Sequence, residues 1–131
     1  MPDKTHGLLW VKRILSAFVL IAAGGLHLFL VFDGVGGVVG VLFVLNAIAG
    51  IVLGIGMLVS RGKLLQLTSL LSLLFILASF LSLVFALTVG LFGISVPWSF
   101  TLVPQTFWIE GIGTVVLAST SVLAFRARRL T

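Results

Sequence analysis

At 131 residues the chain is long enough for one domain and hardly two. It is 60% hydrophobic and 8% charged, with a mean hydropathy of +1.36, whereas a soluble domain carries about a quarter charged residues. Eight Lys and Arg with three Asp and Glu cannot clothe a 13.9 kDa globule in water, which excludes a soluble enzyme, a disordered tail and a nucleic-acid-binding module and leaves an integral membrane protein.

The elements are all predicted helices, in one integral membrane domain over 1–131. A helix needs about 20 apolar residues to cross the roughly 30 Å hydrocarbon layer. The first run, Ile14–Phe32, follows Lys12-Arg13 and ends at Asp33-Gly34. A cleaved signal peptide is the rival reading, with small residues at Ala22–Gly25. The apolar stretch is too long for one, and nothing after residue 34 reads as a secreted domain. Residues 33–37 make a tight turn into a second helix over about 36–60, so the two form an antiparallel hairpin. Arg61-Gly62-Lys63 reverses the chain again, with Gly62 supplying a positive φ.

The next uncharged run, Leu64–Ile109, would be about 69 Å long as one helix. It must break, and Gly90, Gly93, Pro97 and Pro104 mark where. The third helix then covers about 67–92, and the fourth about 104–125, with Pro104 in a first-turn position where its missing N–H costs nothing. The segment Ile94–Val103 is apolar and expected to lie against the outer interface. Trp98 and Trp108 belong at that interface and Trp10 at the opposite one.

The basic residues fall into three clusters: Lys4, Lys12 and Arg13; Arg61 and Lys63; Arg126, Arg128 and Arg129. Four crossings put all of them on one side, with Asp33 and Glu110 on the other or near it. The positive-inside rule then places both termini in the cytoplasm. The arginines near the C-terminus can also bind anionic lipid, although a plain topology signal explains them. The chain has no cysteine, so disulfides and thiolate metal sites are excluded.

Membrane helices associate through close backbone approach and interhelical hydrogen bonds, so small residues mark contact faces. Gly36, Gly40, Ala47, Gly50 and Gly54 form such a stripe on helix two, better explained by packing within the bundle than by a dimer seam. Helix three carries Thr68, Ser72, Ser79, Ser82, Ala86 and Gly90. Helix four carries Gly111, Thr114, Ala118 and Ser121, and helix one Ser16, Ala23 and His27.

Polar side chains at membrane depth are costly and draw attention as functional candidates. His27, Asn46 and Glu110 form a candidate ligand-binding group in the outer half, with Asp33 above it. Three roles compete. His27 and Asn46 can be hydrogen-bond partners that fix helix register. They can line a site for a quinone or a lipid headgroup. His27 with Glu110 or Asp33 can hold a proton or a metal. For a metal the spacing is poor, since one His lies in the membrane and no E-x-x-H pattern is present. No G-x-S-x-G, Cys–His pair or carboxylate pair within a helical turn is present. The glycines from Gly34 to Gly40 lack the Lys-Ser/Thr of a phosphate loop. No enzymatic activity and no cofactor are expected.

The segments Gly24-Gly-Leu-His-Leu-Phe-Leu30, Gly40-Val-Leu-Phe-Val-Leu-Asn-Ala-Ile-Ala-Gly50 and Leu87-Thr-Val-Gly-Leu-Phe-Gly93 resemble those of small four-helix membrane proteins of actinobacteria. More loosely, the layout is similar to that of DoxX-like proteins, some of which associate with quinone or redox partners. The resemblance implies a four-helix architecture, a bacterial plasma membrane and particular interest in His27 and Asn46. It implies no reaction.

The sequence thus predicts an all-α bundle of four transmembrane helices. Its expected role is accessory or scaffolding, beside a larger membrane complex or in a homo-oligomer, with the bilayer as its constant partner. The alternative is a protein that binds or transports a small lipophilic ligand near His27, Asn46 and Glu110.

Overall fold

The computed structural model describes residues 2–129, with side chains from 4 to 127. Four helices make up the fold: α1 Pro2–Phe32, α2 Gly37–Val59, α3 Lys63–Leu87 and α4 Val103–Arg129. Each is long and apolar enough to cross a membrane. Among the described residues no strand forms beyond a single Leu91–Ile94 bridge.

Helix boundaries differ from the expectation at four places, one of them the end of α4, which runs to Arg129 rather than about 125. The first helix begins at Pro2 rather than near 14, because a residue without an N–H suits a first turn. The basic pair Lys12-Arg13 therefore lies inside a helix rather than before one. The third begins at Lys63, directly after Gly62 (φ +58). It ends at Leu87 rather than near 92, where Gly90 (φ +90) turns its N–H back to Phe85 O at 2.7 Å. That is the six-to-one bond of a glycine-terminated helix. The α1–α2 turn closes through Val35 N–H to Leu30 O at 3.0 Å.

The helices form a ring in which α1 touches α2 and α4, and α3 touches the same two. Every neighbour is antiparallel. The α1–α2 contact is the broadest and the α2–α3 contact the slightest. The breadth of the first follows from glycine. A Cβ on Gly50 would lie 2.7 Å from Leu20 O, and one on Gly24 3.0 Å from Ala47 O. The two backbones touch where side chains would hold them apart. Of the predicted stripe, Ala47, Gly50 and Gly54 thus face α1 within the chain, whereas Gly40 meets Val35 O of the turn and Gly36 precedes α2 with nothing within 4 Å.

On α4 the buried positions include Val103, Thr106, Glu110, Gly113, Leu117, Thr120, Ala124 and Ala127. They alternate steps of three and four, the seam period of coiled-coil-like packing. The predicted face of Gly111, Thr114, Ala118 and Ser121 is instead the flank of this seam, and of these only Ser121 is buried. The core gathers Leu20, Met57, Ile76 and Leu117, all fully enclosed. Large apolar side chains such as Phe18, Val38, Val52, Leu74 and Val115 point outward, the arrangement expected against lipid.

Candidate functional site

His27, Asn46 and Glu110 all fall in the half of the bundle away from the basic clusters. His27 is on the buried stripe of α1 with Ala23 and Ser16. Its Nδ1 lies 2.7 Å from Ala23 O, one turn back on its own helix. A carbonyl only accepts, so Nδ1 carries the proton in this contact. The ring edge meets Phe43 of α2 at 4.8 Å between centroids. His27 therefore touches α2 through an aromatic contact, and its hydrogen bond is local rather than interhelical.

Asn46 makes the interhelical bond the sequence suggested. Its Nδ2 donates to Ser79 Oγ of α3 at 2.8 Å, while its Oδ1 is buried without a partner. That bond crosses the slightest of the four helix seams.

Glu110 is 0% exposed, and neither carboxyl oxygen has a hydrogen-bond partner. Its place follows from its neighbours on α4. Gly111 lies against Phe80 of α3, and Gly113 faces Val19 of α1 and Ile76 of α3. Glu110 therefore stands at the level of Ser79 and its partner Asn46, with His27 about one turn further out. No hydrogen bond joins His27, Asn46 and Glu110 to one another among the described residues. Asp33 is exposed at the end of α1, six residues or about 9 Å past His27. Among the described residues no three His, Cys, Asp or Glu come together as a metal site.

At the opposite end the bundle carries a polar framework that the sequence reading missed. Arg13 is 5% exposed. Its Nε donates to Met57 O and its Nη2 to Ser60 O, both at 2.7 Å, and its guanidinium lies 4.1 Å from the Trp10 ring centroid. Lys12 donates to Ser119 Oγ, and Ser16 Oγ meets Thr120 Oγ1 at 2.8 Å, so polar contacts join α1 to α4. The signal for Arg13 was present: Arg13, Ala17, Leu20, Gly24 and His27 recur at helical spacing on one buried face. The side chains of Arg128 and Arg129 lie outside the described residues.

Cavities open near this basic end, one beside Arg13 and one beside Lys12. No family model, curated protein or solved structure matches the chain.

Proposed function

We propose that this chain is a non-enzymatic, multi-pass protein of a bacterial plasma membrane, akin to the DoxX-like proteins it resembles. Its basic end faces the cytoplasm, and it serves as an accessory or scaffolding component beside a larger membrane complex. The supporting observation is the connection between α3 and α4. Leu91 and Ile94 exchange two backbone hydrogen bonds at 2.8 Å around Phe92-Gly93. Phe92 has φ 51 and Gly93 φ 78, so both central residues are left-handed, a turn that favours Asn-Gly. A phenylalanine there costs roughly 1–2 kcal/mol. Phe92 is 88% exposed and Val89 81%. The chain holds an apolar pair outside its own core, Phe92 on a backbone that disfavours it, and a partner's membrane segment is the surface such a pair fits.

The test replaces Phe92 by a photo-crosslinking aromatic amino acid in native membranes. A discrete protein adduct of fixed stoichiometry is expected. Adducts to lipid alone, or a protein that migrates from membranes without any stoichiometric companion, would overturn the reading. The strain makes a second prediction. Phe92→Asn relieves the left-handed position and should raise stability by about 1 kcal/mol while weakening partner retention. A variant that melts lower than wild type contradicts this account of the turn.

A second reading, a quinone or lipid site in the outer half, draws on Glu110 and Asn46 Oδ1. These are acceptors at one level without donors. Ligand-bound mass spectrometry of wild type, His27→Ala and Asn46→Ala decides it: retention by wild type alone favours a site, and no retained molecule in any of them removes it.

A further inference from the structure

α2 holds 23 residues, about 34 Å of helix, so its ends sit at the two surfaces of a roughly 30 Å apolar layer. Arg13 binds the carbonyls that close α2, which fixes its own level at that surface. From there α1 continues back through residues 2–12, about 16 Å beyond Arg13. The result is a notch at headgroup level. It is a cavity of about 400 Å³ with His6, Trp10, Arg13 and Arg61 among its walls. Leu9, Leu65 and Ala127 give it an apolar side.

The notch collects donors without acceptors to match. Arg13 is enclosed, yet among the described residues only two of its five N–H groups are committed to protein atoms. Arg61 shares the cavity and is exposed. Gly62 lines it as the N-cap of α3 and brings no side-chain cap to that helix end, so the positive pole of the α3 dipole also faces this region. Among the described residues no carboxylate lines the cavity. Asp33 is at the other end of the bundle and Glu110 is in its core. Asp3 lies three residues before His6 on α1, with its side chain outside the described set. Two guanidinium groups on one cavity repel unless an anion sits between them.

We infer that this notch binds the phosphodiester of a net-anionic phospholipid, held by Arg13 and Arg61, with Trp10 at the interface and the lipid's apolar part on Leu9 and Leu65. Arg13 is positioned for this by the α2 carbonyls, which leave its remaining N–H groups free. Free inorganic phosphate shares the recognised chemistry. The lipid is favoured because the site combines cations with an apolar wall at headgroup depth.

The experiment uses the full chain in a non-ionic detergent, incubated with phosphatidylglycerol or phosphatidylcholine and read by native mass spectrometry. One phosphatidylglycerol per chain should be retained in preference to phosphatidylcholine. Arg61→Gln, at an exposed position with no role in packing, should lower retention by about fivefold. Lys63→Gln removes the same charge two residues away but off the cavity wall, and should leave retention unchanged. Circular dichroism confirms that both variants fold. Arg13→Gln, if it folds, should abolish retention. Equal retention of the two lipids, or equal losses in Arg61→Gln and Lys63→Gln, overturns the site. Displacement of the lipid by inorganic phosphate at matching concentration overturns the lipid as its occupant.

Discussion

Arg13 shows how one residue can hold two helices at a membrane surface. The last carbonyls of a helix have no partner within it. Arg13 supplies donors to two of them, Met57 O and Ser60 O, and places a positive charge at the negative pole of α2. A lysine keeps the charge and loses the fork. Arg13→Lys should therefore lower stability by about 1–3 kcal/mol, read as a fall in the melting temperature in detergent. An unchanged melt would show that the fork contributes nothing. Asn46 presents the opposite balance. Asn46→Leu loses the bond to Ser79 but also removes an unpartnered Oδ1, so the change should stay within about 1 kcal/mol, the ordinary range for such bonds in membranes. A much larger loss would mean that Oδ1 has a partner beyond this chain, which would strengthen the ligand reading.

Between elements, the α1–α2 seam depends on missing side chains. At Gly50 an added methyl meets the Leu20 carbonyl at 2.7 Å, and backbone cannot swing aside. At Gly25, on α1, nothing lies within 4 Å. Gly50→Ala should cost about 1–3 kcal/mol by overpacking and Gly25→Ala nothing measurable; equal melting temperatures for the two would contradict the seam. This seam was legible in advance, because glycines at helical spacing name a contact face. So were the turns, which are marked by Asp33-Gly34 and Arg61-Gly62-Lys63. The true ends of α3 were not, since an uncharged apolar run looks the same inside a helix and just beyond it. Lys12-Arg13 misled in another way: charge beside an apolar run reads as a flank, yet here it is the interior of a longer helix. For the site, sequence placed His27, Asn46 and Glu110 at one end and could go no further. Whether His27 bonds across to a neighbour or back to Ala23 depends on the register of α1 against α2, and a single helix does not contain that information. The same limit hid the notch, whose walls come from α1, the α2–α3 turn, α3 and α4.

As a whole the molecule is built on four helices, each long and apolar enough to cross a membrane, with α1 reaching well past the level of Arg13. Its polar side chains divide between two levels. The basic end has cations, paired hydroxyls and a cavity. The far half has His27, Asn46 and an isolated Glu110, below a connection that presents Phe92. Both the scaffolding role and the lipid notch require the basic end to face one membrane surface and the Phe92 connection the other. The chain has no cysteine, so a single engineered thiol reports its own side without background. Lys63→Cys and Ser95→Cys, treated in intact cells with a membrane-impermeant maleimide, test this arrangement directly. Ser95→Cys should label at once and Lys63→Cys only after lysis. Labelling of Lys63→Cys in intact cells would contradict the threading and the functional proposals that rest on it.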